Sequence, residues 1–280
     1  MSLSVFDFVV VGAATLMAGA INALAGGGTL VSFPALLAVG VPALPANVTN
    51  TVALCPGYFS GTYAQRQDLA GQRTRSVWLG VVAGVGGLAG SALLEVTPEA
   101  TFREAVPYLL VLSCVLLAFQ DRVRTWVRAR SEARAEGPAA RAPAAEPGRP
   151  SPEGKVDAGG EDRPALGLQA TVFVGAVYGG FFGAGLGIML LALLGLFLDD
   201  SLRRVNAVKQ LLQLTVNVLA AVFFAVSGHV RWEVVPVMGA AGLIGGTLGG
   251  RLVRVVNPTW LRRAVVVFGL AVAVDFWLTK

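Results

Sequence analysis

The stretch "ALAGGGTLVSFPAL", residues 23–36, places three consecutive glycines inside a segment that carries no charge. Glycine weakens a helix by roughly 1 kcal/mol relative to alanine, so these residues interrupt the most apolar part of the chain. The uncharged run that contains them extends from Phe8 to Gln65. The stretch therefore raises two questions: what surrounds this apolar chain, and what purpose the interruption serves.

The composition predicts an all-α polytopic membrane protein. The chain is 55% hydrophobic and 14% charged, whereas soluble domains carry about 25% charged residues. Three further runs, at 165–198, 210–228 and 234–250, also lack charges. Because about 20 apolar residues cross a bilayer as a helix, we expect several spans in the inner (plasma) membrane, with the lipid bilayer around them.

A charged segment divides the chain into two similar halves. Residues 121–164 concentrate basic, acidic and proline residues, a composition that cannot bury enough apolar surface to fold. We therefore predict a first membrane repeat at 1–120, a disordered linker at 121–164 whose first part extends the preceding helix, and a second membrane repeat at 165–280. A shift of 159 positions places Gly26–Gly28 on Gly185–Gly187 and Asn47 on Asn206, which predicts an internal duplication.

The length of the first uncharged run explains the glycines. Its 58 residues would form about 87 Å of helix, and two crossings leave roughly 18 residues for a third element. We expect a break at Gly26–Gly28, a short helix from about Thr29, and the equivalent break at Gly183–Gly187. With these short helices included, we expect the chain to have eight to ten membrane elements.

A broken helix in a membrane predicts a binding site. Unpaired backbone at membrane depth is tolerated where it lines a cavity or is buried in protein, and a helix N-terminus attracts anions. The alternative is close helix packing, which also uses glycine in membranes. We assign packing to the pairs Gly80/Gly84, Gly86/Gly90 and Gly242/Gly246, and an anion site to the two repeated breaks.

Polar side chains after each break extend this prediction. Lys209, Gln213 and Asn217 recur every four residues and share one helical face, and a charge beside two amides suits a small oxyanion. Two alternatives stay open: Lys209 extends to the interface, and the amides and hydroxyls form interhelical hydrogen bonds. The candidate substrate-binding residues are Gly26, Gly27, Gly28, Thr29, Asn47, Thr49, Asn50, Gly185, Gly187, Asn206, Lys209, Gln213 and Asn217.

The same segments carry a family resemblance. "AGAINALAGGGTLVSFPALLAVGVPALPANVTNTVALCPGYFSGTYAQRQDL" (18–69) resembles the first repeat of the sulfite exporter TauE/SafE family, and "GAVYGGFFGAGLGIMLLALLGLFLDDSLRRVNAVKQLL" (175–212) resembles its second. The resemblance implies a permease that moves sulfite, sulfonates, sulfoacetate or related small anions by secondary transport. The second repeat lacks a proline that matches Pro34, so the two breaks are expected to differ.

The basic residues predict the orientation. Short cytoplasmic loops are enriched in Lys and Arg, so we expect the linker to be cytoplasmic. An odd number of crossings per half inverts the second half and places Arg203, Arg204, Arg251, Arg254, Arg262 and Arg263 on that same side, whereas four crossings per half place them outside. The charges favour inverted repeats, while the brevity of the second short helix opposes a full crossing there.

Other functions lack their signatures. The sequence contains no H-E-x-x-H motif, P-loop or metal-ligand spacing, so we expect no enzyme activity, metal or cofactor. The orientation of the chain explains the excess of five cations, so we expect no nucleic-acid partner, and a homo-oligomer is compatible with the sequence. The alternative function is a non-transporting membrane scaffold that acts through its linker. A metal-cation permease would require clusters of acidic, His or Met residues in the spans, and the sequence shows none there.

Overall fold

The computed structural model describes residues 3–24, 27–135, 164–198, 200–252 and 258–278, and these form helices without strands. Ten α-helices occur within those ranges, with one 3₁₀ turn at Arg66–Leu69. The helices are α1 (Val5–Leu24), α2 (Thr29–Ala38), α3 (Ala43–Ala64), α4 (Arg73–Glu95), α5 (Glu99–Ala135), α6 (Leu166–Phe181), α7 (Leu186–Phe197), α8 (Leu202–Ala225), α9 (Val235–Leu252) and α10 (Pro258–Leu278).

The prediction of an all-α polytopic membrane protein is confirmed. Within the described ranges, four helices, α1, α4, α5 and α8, are long and apolar enough to cross a bilayer by themselves. The helix α3 is less apolar because its interior carries Asn47, Asn50 and Thr51, and it packs inside the bundle against α8 and α9. Large apolar side chains such as Val81 and Phe119 are exposed on the outside, as a lipid environment requires.

The helix boundaries repeat between the halves. The helix α3 begins at Ala43 and α8 begins at Leu202, and the starts of α5 (Glu99) and α10 (Pro258) differ by the same 159 positions. Packing follows the same order: α1 packs on α9, and its counterpart α6 packs on α4. This correspondence supports the duplication, which itself stays a prediction.

The counterpart helices run antiparallel where they touch. Near one end of the α3–α8 contact, the amide of Asn206 donates to Gln65 Oε1 at 2.6 Å. Farther along, Cys55 Sγ lies 3.4 Å from the backbone carbonyl oxygen of Asn217. Since counterpart helices of parallel repeats would run in the same direction, this arrangement supports the inverted alternative.

Each short helix folds back along the helix before it. A β-carbon at Gly175 of α6 would lie 3.5 Å from Leu190 Cδ2 of α7, and one at Gly167 would lie 3.4 Å from the ring of Phe197. The helix α7 therefore returns toward the start of α6. The pairs α1–α2 and α6–α7 are helical hairpins, in which the second helix is the short element that the length of the uncharged runs predicted.

The charged residues define two ends of the bundle. At one end, which we call the basic end, Asp200 pairs with Arg75 of α4 at 2.8 Å and with Arg204 of α8 at 2.9 Å. The hydroxyl of Ser131, on α5, donates to the Asp200 carbonyl at 2.7 Å. At the opposite end Glu95 lies 3.4 Å from His229. Arg75 of the first half and Arg204 of the second thus meet at one end, where α5 leads into the linker.

The helix α5 extends beyond the first repeat into the segment predicted as the linker. The helix α5 continues to Ala135, as expected for the first part of the linker, and its Val127 is buried against Gly195 of α7. The rest of the linker, 136–163, lies outside the described residues.

The assignment of Gly80 to close packing is wrong. A β-carbon there would meet no heavy atom within 4 Å, whereas one at Gly90 would lie 2.0 Å from the carbonyl oxygen of Val177.

Candidate functional site

The first helix break is a tight reversal held by α1. The helix α1 ends at Leu24 and α2 begins at Thr29; Gly26 lies outside the described residues. The backbone N–H of Gly28 donates to Asn22 Oδ1 at 2.8 Å. A β-carbon at Gly28 would lie 2.1 Å from the Ala18 carbonyl oxygen, so only glycine allows the chain to return this closely along α1.

Tyr58 of α3 completes the first break. Its side chain faces the polar side chains of Thr29 and Asn22, and both Tyr58 and Thr29 are buried. The first turn of α2 is therefore enclosed by polar groups from α1 and α3. Because the N–H groups of a first helical turn have no intrahelical partner, this is a polar position inside an apolar bundle.

The second break uses glycine differently. The helix α6 ends at Phe181 and α7 begins at Leu186, and Gly183 and Gly185 both have φ +79°, a left-handed conformation that favours glycine. Between them, the Ala184 carbonyl accepts hydrogen bonds from the hydroxyls of Tyr178 at 2.6 Å and Ser113 at 2.9 Å. The break is shorter than Gly183–Gly187, because Gly187 already lies in α7.

The helix α5 brings the two breaks together. A β-carbon at Gly27 would lie 3.0 Å from Leu117 Cδ1, and one at Gly185 would lie 3.2 Å from Leu116 Cδ1. Leu116 and Leu117 are neighbours on α5, so both breaks contact the same turn of this helix. The Phe33 ring of α2 also packs on Phe182 at a centroid distance of 5.4 Å. The breaks therefore form one region, as the prediction of a site between two halves requires.

Of the polar side chains on α3, some face this region and others bond elsewhere. The amide nitrogen of Asn47 donates to the Phe181 carbonyl at the end of α6, at 2.9 Å. The side-chain oxygens Oδ1 of Asn47 and Asn50 are buried and have no hydrogen-bond partner among the described residues. The hydroxyl of Thr49 accepts from the backbone N–H of Arg231 at 2.9 Å, so it is held by the connection between α8 and α9 rather than by a break.

The helix α8 contributes the polar row that the sequence predicted. Lys209, Gln213 and Asn217 are 4%, 1% and 8% exposed, so all three are inside the bundle. The amide of Asn217 donates to the Gln213 carbonyl at 2.8 Å. The Gln213 side chain lies against Gly187, where a β-carbon would approach its Oε1 to 2.8 Å. In the part of the chain that the structure describes, that oxygen has no hydrogen-bond partner.

Lys209 is the basic side chain of this region. Its burial does not fit extension to the interface, which was the alternative explanation. The charged side chain that acts on it is Arg124 of α5, another cation. No ion pair with a carboxylate is found for Lys209 among the described residues. Since burying an unpaired charge is costly, its surroundings favour the approach of an anion.

The structure gathers most of the candidate residues. Those at or beside the breaks are Gly27, Gly28, Thr29, Asn47, Gly185, Gly187 and Gln213. Lys209 and Asn217 lie one helical turn before and after Gln213 on α8, and Asn50 lies on α3 near Asn47. Asn206, paired with Gln65, and Thr49 lie elsewhere. Sequence reasoning missed Asn22, Tyr58, Ser113 and Tyr178. The signal available was that each is a polar residue within an apolar run, but nothing in the spacing indicated which breaks they would reach.

The region is closed in this conformation. Its residues from Gly27 to Leu36 are buried, as are those from Ala184 to Ile188. No group of three or more His, Cys, Asp or Glu residues suited to a metal ion occurs in the described ranges. The arrangement offers helix N-termini, amides, hydroxyls and one ammonium group, a set that suits a small anion better than a cation.

Comparison with known proteins identifies related transporters. The family model described as "Sulfite exporter TauE/SafE" matches residues 11–276. A "Probable membrane transporter protein" of Haemophilus influenzae is 27% identical over 260 residues, covering 90% of this chain and 87% of that protein. The "Probable membrane transporter protein YfcA" of Escherichia coli is 25% identical over 256 residues, covering 90% and 82%.

A relative of lower sequence identity is also named as a membrane transporter. The "Probable membrane transporter protein ORF9" of a Sinorhizobium species is 22% identical over 263 residues, covering 93% of this chain and 88% of that protein. No solved structure gives a significant match. The matched proteins are named as transporters, and their names specify no substrate.

Proposed function

Because the chain belongs to the sulfite exporter TauE/SafE family, we propose that it is a secondary permease for a small anion. Sulfur oxyanions and organosulfonates, such as sulfite and sulfoacetate, are the favoured substrates. The chain is a multi-pass membrane protein of a transporter family, and its relatives are named as transporters rather than enzymes.

The observation that carries the choice of an anion is the buried Lys209. It is 4% exposed, and the charged group that acts on it is the cation Arg124. A bound anion would compensate the charge of Lys209, and the amide of Gln213 one turn away would add a directed hydrogen bond. This reasoning supports a site on the second-half side of the breaks, where the substrate's negative charge would rest.

The two breaks supply the rest of the proposed site. The amide ends of α2 and α7 are buried against the same turn of α5, and helix N-termini stabilise negative charge. Inverted halves with broken helices are the arrangement in which many secondary transporters hold their substrate near the bilayer midplane. Since both breaks are closed to solvent here, transport requires the halves to move apart on one side at a time.

The charge distribution supports a cytoplasmic basic end. Arg75 and Arg204 lie there together with the end of α5, and cytoplasmic loops are enriched in such residues. The linker would then be cytoplasmic. The scaffold alternative depends on that linker alone, whereas the permease depends on the two halves.

Substrate flux tests the proposal directly. The purified chain in proteoliposomes should move radiolabelled sulfite or sulfoacetate faster than protein-free vesicles do, and unlabelled sulfite should compete. A deletion of 138–160, which leaves α5 complete, should retain that flux. If no sulfur oxyanion, organosulfonate or carboxylate is moved or competes, the anion permease proposal fails; if flux disappears only on the deletion, the linker has a role that a simple connector lacks.

A further inference from the structure

A groove opens on the outer surface of the bundle, away from the helix breaks. It lies between α4 of the first half and α8 of the second and encloses about 680 Å³, within the usual range of about 300–1,000 Å³ for ligand pockets. Its walls are apolar, with Leu88 and Val81 on one side and Leu211 on the other. The floor is open because Gly80 carries no side chain.

The groove has the length of a lipid chain. Its lining along α4 runs from Arg73 to Leu88, which is about 22 Å at 1.5 Å per residue. The hydrocarbon of one leaflet is about 15 Å deep, half of a typical core. An acyl chain that enters at Arg73 would therefore lie in the groove over its whole depth in that leaflet.

A cation stands at the mouth of the groove. Arg73 is exposed at the start of α4, at the basic end of the bundle. Two residues later, Arg75 is neutralised by Asp200 at 2.8 Å. Among the described residues, no carboxylate forms an ion pair with Arg73. Arg73 is therefore placed to meet an anionic headgroup, as basic pockets between membrane helices do.

We propose that this groove binds an anionic phospholipid from the leaflet at the basic end. The acyl chain lies between α4 and α8, and Arg73 contacts the phosphate. Because the two walls belong to different halves, the bound lipid touches both of the units whose separation transport would require. The proposal does not depend on the identity of the transported substrate.

Native mass spectrometry of the full chain tests the site. The protein is released from micelles that contain equal amounts of phosphatidylglycerol and phosphatidylcholine. We expect about five-fold preferential retention of phosphatidylglycerol, the ratio that about 1 kcal/mol for one basic residue gives. Gly80→Leu should lose both lipids, because Gly80 lines the groove and a β-carbon there meets no heavy atom within 4 Å, so the new side chain enters the space that the lipid would occupy. Arg73→Gln should keep lipid but lose the preference.

Matched controls separate the groove from general effects. Ala89→Leu places the same side chain on an exposed position of α4 outside the groove, and Arg263→Gln removes an exposed cation at the basic end on α10; both should behave like the unmodified chain. Equal retention of the two lipids by the unmodified chain overturns the proposal. So does unchanged retention in Gly80→Leu, or a dimer that dissociates in Gly80→Leu without loss of lipid, since a second copy would then occupy the groove.

Discussion

Gln213 packs its side-chain amide directly on Gly187, in the first turn of α7. A β-carbon at Gly187 would lie 2.8 Å from Gln213 Oε1 and 2.9 Å from Nε2. Both residues are buried, so the broken helix of the second half and the polar row of α8 meet at this point. The contact connects two features that the sequence presents 26 residues apart.

The contact between Gly187 and Gln213 predicts the effect of Gly187→Ala. The added methyl group displaces the end of a flexible side chain rather than backbone, so we expect the protein to fold with at most a small change in its melting temperature. The amide of Gln213 would move, and the apparent affinity for a transported anion should fall several-fold. Wild-type KM for anion uptake in proteoliposomes, with normal thermal stability, would contradict a role for this contact in binding.

Gly28→Ala should act on folding instead. The β-carbon would lie 2.1 Å from the backbone carbonyl oxygen of Ala18, and relieving such an overlap costs about 1–3 kcal/mol. We expect a lower melting temperature in detergent and poor yield, whatever the ligand. Gly80→Ala, which meets open space inside α4, is the matched control and should not lower the melting temperature, because alanine favours a helix over glycine. Equal stability of the two variants would show that the hairpin adapts to a side chain at residue 28.

The charge of Lys209 should control anion affinity. Loss of one charge-assisted hydrogen bond costs about 1.5–3 kcal/mol, so Lys209→Gln should raise KM for the substrate about 10- to 100-fold, while Lys209→Arg keeps part of the affinity. Arg203→Gln removes an exposed cation from the first turn of the same helix and serves as the control. The measurement is the concentration dependence of uptake, and an unchanged KM in Lys209→Gln would exclude a binding role for this residue.

The ion pairs of Asp200 predict a pH-dependent contribution to stability. Burial by itself would raise the pKa of Asp200, but hydrogen bonds from Arg75 and Arg204 hold it below the ordinary 3.8. A lowered folded-state pKa stabilises the protein above the ordinary value, and this stabilisation is lost as the pH falls through the folded value. Asp200→Asn should therefore unfold more easily at pH 7, by about 0.5–1 kcal/mol.

The same comparison at acid pH provides the check. Below pH 3.8 the unmodified chain progressively loses the ionised carboxylate, so the melting temperatures of the two proteins in detergent should converge. A difference that stays constant from pH 7 into this acid range would mean that Asp200 stabilises the basic end by packing rather than by charge.

The proposed orientation predicts which loops are accessible from each side. Reporter fusions after Arg204 and within the linker should both indicate the cytoplasm, because Arg204 and the end of α5 share the basic end. A fusion after His229 should indicate the opposite side, because His229 pairs with Glu95 at the other end of the bundle. A periplasmic signal at Arg204 together with a cytoplasmic linker would contradict inverted halves.

The sequence by itself determined the membrane class, the helical architecture and the positions of the interruptions. Long uncharged runs have to form helices in lipid, because no water is present to bond their backbone groups. The length of the run from Phe8 to Gln65 required an extra element, and α2 begins at Thr29 as that reasoning expected. These conclusions depend on length and local composition alone, which a sequence states completely.

Only the tertiary structure decided which polar groups meet at the interruptions. Helical spacing placed Lys209, Gln213 and Asn217 on one face, but it could not show that this face turns inward or that Gly187 lies against it. It equally could not show that Tyr58 reaches the first break and Ser113 the second, or that Thr49 and Asn206 bond elsewhere. The physical reason is that spacing fixes a direction around one helix axis, whereas a contact depends on how separate helices pack across the whole bundle.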